Sequence, residues 1–89
     1  MITSIILMNI KRNKVNKVAD MLVDMPEISE VYSVAGKYDL VAIVRVKEND
    51  DLASLVTNKL SRLSDIRKTD TMLAFKAYSR HDLDSMFSL

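Results

Sequence analysis

The sequence predicts one small α+β domain with the element order β-α-β-β-α-β. Two segments have apolar residues at helical spacing, and four runs rich in Ile, Val, Leu and Thr have strand character. The single Pro and the single Gly both stand between these segments, where the chain has to turn. A chain of 89 residues forms one domain. Because 48% of its residues are hydrophobic, more than one face of a small sheet needs, we also expect association between subunits.

The first strand is predicted for residues 2–10. Both of its alternating faces are apolar, with Ile6, Met8 and Ile10 on one and Ile5 and Leu7 on the other. Two apolar faces predict burial on both sides of the strand.

The first helix is predicted for residues 14–25. Its apolar residues recur at i, i+3, i+4 and i+7, namely Val15, Val18, Ala19 and Leu22. Asn13 is the predicted N-cap, since an Asn side chain accepts a hydrogen bond from the first free N–H groups of a helix. Pro26 ends the helix, because the residue before a proline is pushed out of the α region.

Two further strands are predicted for residues 28–35 and 40–47, with a turn at residues 36–39. A second helix follows, and one of Asn49, Asp50 and Asp51 is its predicted cap. Its buried stripe is predicted to be Leu52, Leu55, Val56, Leu60 and Leu63. A long fourth strand is predicted for residues 66–78. The domain is assigned to residues 1–80 and a C-terminal tail to residues 81–89.

This order of elements is that of the ferredoxin-like fold. Right-handed crossovers place both helices on one face of a four-stranded antiparallel sheet. The opposite face stays apolar and uncovered, which is uncommon in a soluble monomer. We therefore expect this face to pack on the same face of a second copy, so that the dimer forms an α+β barrel.

Charge and composition exclude several classes of function. The net charge is +1, from 13 basic and 12 acidic residues, whereas a nucleic-acid binder usually has a clustered basic excess. Cysteine is absent, and the lone His81 has no partner for a metal site or for acid–base catalysis. We expect no cofactor, no metal and no catalytic residue. No run approaches the ~20 apolar residues that span a bilayer, and we expect a soluble, cytoplasmic protein without membrane contact.

The turn Gly36-Lys37-Tyr38-Asp39 is the candidate functional site. A lone glycine between two strands supplies the positive φ of a hairpin turn. Glycine also lets a ligand approach the backbone closely, and free N–H groups there bind a carboxylate. Asp39 is a candidate partner for an ammonium group, and Tyr38 is a candidate wall of the site.

Residues 26–46 resemble the effector domain of the Lrp/AsnC family of amino-acid-responsive regulators. The similar features are the proline after the helix, the run Val-Tyr-Ser-Val, the Gly-Lys-Tyr-Asp turn and the apolar third strand. Residues 66–71, Ile-Arg-Lys-Thr-Asp-Thr, are similar to the last strand of that family. The resemblance covers nearly the whole chain. It implies dimers formed through the sheet faces, which assemble into rings that are commonly octameric.

The resemblance also implies that an amino-acid effector binds between dimers, beside the turn. The implied ligand-binding residues are Gly36, Tyr38, Asp39, Thr69 and Thr71. The two threonines alternate onto one face of the last strand. The first ten residues form a strand and leave no room for the helix-turn-helix of the family. We therefore expect a stand-alone effector domain without direct DNA binding, which modulates transcription or metabolism by assembling with itself or with a full-length regulator.

Three other functions remain as alternatives. A small dimeric enzyme of the monooxygenase type would need polar groups in a cavity between sheet and helices, and Val18, Leu22, Val56 and Leu60 supply none. An RNA-binding domain of the RRM type has the same strand order, but it needs aromatic residues on its central strands, and residues 2–10 and 40–47 have none. A purely structural assembly domain would differ from an effector domain only in ligand binding.

Overall fold

Six elements of secondary structure form the domain in the predicted order. The computed structural model describes residues 1–78 and residue 80. The elements are β1 (Ile2–Ile10), α1 (Val15–Val23), β2 (Ile28–Ser33), β3 (Leu40–Val46), α2 (Asn49–Ser54) and β4 (Ile66–Leu73). The α+β class and the βαββαβ order are confirmed. The predicted tail, residues 81–89 with His81, lies outside the described residues.

The four strands form one antiparallel sheet with the order β2-β3-β1-β4. The two central strands are the two that the sequence makes apolar on both faces. The side chains buried between the sheet and the helices are Ile6, Met8, Ile10, Val18, Leu22, Ile28, Leu40, Ala42, Val44, Val46, Leu55 and Leu60. Both helices lie on this face, so the ferredoxin-like arrangement is confirmed.

The other face of the sheet, which we call the open face, has an apolar centre. Leu7 pairs with Val41 and Ile5 pairs with Ile43 across β1 and β3, so these four side chains form one patch. Tyr32 of β2 and Met72 of β4 extend it onto the edge strands, where they are 49% and 46% exposed. No described helix packs on the open face.

The second helix changes geometry along its length. α2 continues into one π-helical turn (Leu55–Lys59) and then a 3-10 turn (Leu60–Arg62). In the π turn, the N–H of Leu60 donates to the carbonyl of Leu55, five residues earlier. Leu55 and Leu60 are buried, and the other residues of the predicted apolar stripe pack against the core, as expected. None of the described helices is long and apolar enough to cross a bilayer.

The predicted N-cap of α1 is wrong. Lys14 holds that position and its side chain forms no capping hydrogen bond. Asn13 stands one residue earlier with a φ of 65°, in the left-handed region that Asn tolerates better than most residues. This conformation lets the chain reverse tightly, because the N–H of Lys14 donates to the carbonyl of Lys11 at 3.0 Å.

The cap of α2 is also shifted from its predicted position. Glu48 is the N-cap, and its N–H donates to Asp51 Oδ2 at 3.3 Å. Asp50 and Asp51 lie in the first turn, where carboxylates complement the helix dipole. The sequence reasoning placed the acidic residues at the correct end of the helix but began the helix too late.

The fourth strand is shorter than predicted and ends at Leu73 rather than Tyr78. The N–H of Ala74 donates to the carbonyl of Thr3 at 3.0 Å. Because β1 begins at Ile2, its backbone offers no further partner to the residues that follow. Phe75 and Tyr78, which follow the end of β4, are exposed.

Candidate functional site

The turn between β2 and β3 reverses the chain around Gly36. Gly36 has a φ of +114°, which residues with a side chain rarely adopt. A Cβ at this position would meet no atom within 4 Å, so the glycine is required for its backbone conformation and not for lack of space. The N–H of Val34 donates to the carbonyl of Asp39 at 3.1 Å and closes the turn.

Asp39 attaches the turn to the end of β1. Its N–H donates to the carbonyl of Met8 at 2.9 Å, and its Oδ2 accepts the N–H of Ile10 at 2.8 Å. The carboxylate therefore accepts the N–H of Ile10, the last residue of β1. Ile10 lies beyond Met8, which is the last β1 residue in the register with β3. One oxygen of the residue that sequence reasoning assigned to a ligand ammonium is thus bound within the fold.

Two further side-chain hydrogen bonds hold the turn against the sheet. Asn9 Nδ2 donates to the carbonyl of Lys37 at 2.6 Å. The hydroxyl of Tyr38 donates to Asp70 Oδ2 on β4, so Tyr38 reaches across β1. This hydrogen bond raises the pKa of Tyr38, because the phenol is bound in its protonated form next to a carboxylate. The turn is therefore fixed to both β1 and β4.

Four consecutive backbone donors remain available in this anchored turn. The N–H groups of residues 35–38 take part in no hydrogen bond within the described part of the chain. Asp39 Oδ1 likewise forms none there. N–H groups in a tight turn make a concave site for an anion. The turn can thus offer donors to a carboxylate and one carboxylate oxygen to a cation.

The structure brings together only three of the five predicted site residues. Gly36, Tyr38 and Asp39 share the turn, whereas Thr69 and Thr71 pair with Met8 and Ile6 of β1. Their paired residues are buried on the helix side, so both threonines lie on the face opposite to the one where Asp70 meets Tyr38. Within a single chain the two groups therefore do not converge on one ligand.

Thr69 instead lines a cleft on the helix side. The cleft has a volume of about 180 Å³ and its lining residues are Val56, Leu60, Ser61, Leu63, Ile66, Arg67, Lys68 and Thr69. This volume is below the roughly 300 Å³ at which small-molecule sites usually begin. Its polar groups are hydroxyls and cations, without a carboxylate for general acid–base chemistry. Among the described residues, no three His, Asp or Glu side chains cluster as a metal site requires.

A family model decides the relationship of the chain to known proteins. The model of the Lrp/AsnC ligand-binding domain matches residues 3–83, nearly the whole sequence. The chain belongs to the Lrp/AsnC ligand-binding domain family. The anchored turn and the open sheet face are therefore features of a member of a family of ligand-binding domains.

Relatives of this Lrp/AsnC domain include transcriptional regulators. The HTH-type transcriptional regulator FL11 of Pyrococcus furiosus is 34% identical over 77 residues, which is 86% of this chain and 50% of FL11. The chain thus spans about half the length of the curated relatives it matches. The crystal structure of TTHA0845 from Thermus thermophilus is 41% identical, with a TM-score of 0.83 over 90% of this chain and 100% of that one.

A solved structure with the same fold but lower sequence identity contains a ligand. The transcriptional regulator NMB0573 of Neisseria meningitidis was crystallised as a complex with L-Met. Its TM-score with this chain is 0.80, over 89% of this chain and 53% of that protein, at 12% sequence identity. At this identity the similarity establishes a common fold alone.

Sequence reasoning missed Asp70, Asn9 and the backbone contact of Asp39. Asp70 was visible only as the residue between two threonines, and its partner Tyr38 is far away along the chain. The available signal was alternation, since Asp70 shares a face with Met72 and thus with the open face. No local pattern indicates that Tyr38 crosses β1 to reach it.

Proposed function

We propose that this domain senses an amino acid and converts its concentration into a change of assembly. The observation that carries the proposal is the anchored turn, whose four N–H groups at residues 35–38 have no acceptor among the described residues. In the proposed complex these groups bind the carboxylate of the amino acid, Asp39 Oδ1 binds its ammonium, and the ring of Tyr38 forms a wall. The family assignment and the L-Met complex of NMB0573 support a ligand of this class.

The proposed assembly begins with a dimer formed through the open face. Ile5, Leu7, Val41 and Ile43 lie in register on the two central strands and form an apolar surface. In the proposed dimer this surface meets the same surface of a second copy. Burying it in a second copy would remove from water the apolar side chains that the helices leave uncovered. Dimers then associate into a higher oligomer, of which an octamer is the expected size. A full-length regulator of the same family would offer an equivalent open face, so hetero-assembly in the cytoplasm is part of the proposal.

The positions of Thr69 and Thr71 fit a ligand held between dimers. Both lie on the edge strand β4, on the face away from Tyr38. Within one chain they are on the wrong side of the sheet for a ligand at the turn. We therefore assign their contacts to a ligand bound at the turn of a neighbouring copy. A ligand that touches two subunits stabilises the assembly that forms its site, by linkage.

Calorimetric titration of the purified protein against the twenty amino acids tests the proposal. We expect amino acids with one class of side chain to bind. In the presence of such an amino acid, sedimentation velocity should show a larger assembly. No heat with any amino acid at millimolar concentration would contradict sensing and leave only an assembly role. The Gly36→Ala variant is the matched probe, because a Cβ finds open space there but the φ of +114° becomes strained. It should bind more weakly while the dimer persists.

A further inference from the structure

One end of the domain concentrates positive charge that the overall composition conceals. This basic end consists of residues 10–17, 34–39 and 61–68, three segments that are distant in sequence. Its cations are Lys11, Arg12, Lys14, Lys17, Lys37, Arg62, Arg67 and Lys68. It thus contains eight of the 13 Lys and Arg residues but only two of the 12 Asp and Glu residues, a formal charge of +6. The rest of the chain must then sum to −5 to give the total of +1.

Contacts between the loops establish that the three segments meet at one end. The N–H of Lys11 donates to the carbonyl of Asp65 at 2.8 Å, which joins the first segment to the third. Asn9 Nδ2 donates to the carbonyl of Lys37 at 2.6 Å, which joins the end of β1 to the second. Asn9 also pairs with Lys68 on β4. The cations therefore surround the same end of the sheet.

These cations are exposed, and little negative charge competes for them. All eight are solvent-exposed in the described chain. Asp65 Oδ2 lies 3.2 Å from Lys17 Nζ, and Asp39 Oδ2 accepts the N–H of Ile10, so one oxygen of each carboxylate at this end already has a partner. The tight turn from Lys11 to Lys14 also holds its cations on an ordered backbone. Such a surface attracts an anion with many charges.

In contrast to the expectation from sequence of no direct DNA binding, we propose that the basic end binds the phosphate backbone of duplex nucleic acid without reading its sequence. Three spacings between four strands, at about 4.8 Å each, and a helix about 10 Å in diameter make an end roughly 15 Å wide and at least about 10 Å deep. The major groove of DNA is about 12 Å wide, so this end can touch phosphates on both sides of a groove. Cations spread over such an area suit a polyanion better than a small ligand.

The acidic residues of a second copy are a weaker match for this end. At the opposite end of the domain, Asp24, Glu48, Asp50 and Asp51 are interspersed with Lys47 and Lys76, which leaves that surface only weakly negative. Glu27, also near that end, is bound to Lys59. Duplex DNA has about one negative charge per 1.7 Å of its axis, so it can match the basic end charge for charge.

The test is the salt dependence of binding to a fluorescently labelled duplex of arbitrary sequence, measured by anisotropy without amino acids. We expect binding at about 50 mM salt that weakens linearly on a log–log plot toward about 200 mM, with a slope of roughly −0.9 per phosphate contact. Replacing three cations in K11Q/R12Q/K14Q should make the slope shallower by about 2.7. None of these residues belongs to the proposed effector site, so failure here leaves amino-acid sensing untouched.

The variant K47Q/K76Q/R80Q is the matched control, because it removes the same charge from exposed positions outside the basic end. It should keep the wild-type slope. If the salt-dependence slope became equally shallow in both variants, binding would respond to net charge alone, and the proposal would be overturned. So would the absence of any binding at about 50 mM salt. Polyglutamate is the third arm: if it binds at least as tightly as the duplex, the partner of this end is an acidic polypeptide and not nucleic acid.

Discussion

The two faces of the sheet both present apolar side chains, but the helices pack on only one of them. On the helix side, Leu40 and Ala42 are fully buried, whereas Val41 and Ile43, next to them in sequence, retain solvent access on the open face. The apolar residues on both faces of β3 therefore indicate two surfaces that need packing partners. The helices of one chain pack on only one of them. The surplus of apolar residues is explained by the second face.

The largest effect is expected from a matched pair of Leu→Ala substitutions. Leu40→Ala removes a fully buried side chain on the helix side and should cost about 2–5 kcal/mol of unfolding free energy at every protein concentration. Leu7→Ala acts on the open face, so its cost should be small in dilute protein and grow as dimers form. Urea unfolding at two protein concentrations measures both. If both variants lost the same unfolding free energy at both protein concentrations, the open face would not be an association surface.

A charge on the open face should separate the subunits. Ile43→Asp would bury a carboxylate without a partner in the proposed dimer, at a cost of about 3 kcal/mol or more, which weakens association on the order of 10²-fold. The monomer should still fold, because this side chain packs against no helix. Analytical ultracentrifugation measures the change. Val23→Asp on α1, where Val23 is 55% exposed, is the control and should leave the association unchanged.

Much of this comparison could be predicted from the sequence, because the period of a strand and of a helix is a local property. The alternation in residues 2–10 and 40–47 correctly predicted which side chains lie on each face. The contacts of Asp39 could not be predicted in this way, since its partner Ile10 is on another strand. The basic end was hidden for the same reason, because the topology brings together segments that are far apart along the chain.

Asp39 lies where the turn joins the sheet, and its substitution separates a structural role from a ligand role. Asp39→Ala leaves the N–H of Ile10 without its acceptor, which should cost about 1–3 kcal/mol. Asp39→Asn retains an oxygen that can accept this bond and should cost less, although it removes the charge proposed to hold an ammonium. Thermal unfolding and calorimetric titration of both variants give the two readouts. Unchanged stability in Asp39→Ala would exclude the structural role.

The smallest effect concerns acid stability on the helix side. Lys59 Nζ donates to Glu27 Oε2 at 2.6 Å, and this hydrogen bond lowers the pKa of Glu27 below its ordinary value of 4.5, although burial opposes the shift. Because the pKa is lower in the folded state, the stabilisation is present above the ordinary value and is lost as the pH falls through the folded pKa. The unfolding temperature of wild type should therefore fall more below pH 4.5 than that of the Glu27→Gln variant. If the unfolding temperatures of the two proteins fall in parallel with pH, this ion pair does not contribute to the loss of stability in acid.

The π-helical turn at residues 55–59 has a consequence for how the length of this domain can vary. Leu55 and Leu60 are five residues apart, yet both are buried, because the wide turn accommodates one residue more than an α-helix would. Deleting the exposed Asn58 would bring them to the α-helical spacing of four and leave both on the core side. The same deletion within a strand would move every later side chain to the wrong face. The second helix is therefore a place where relatives can gain or lose a residue while the sheet keeps its register.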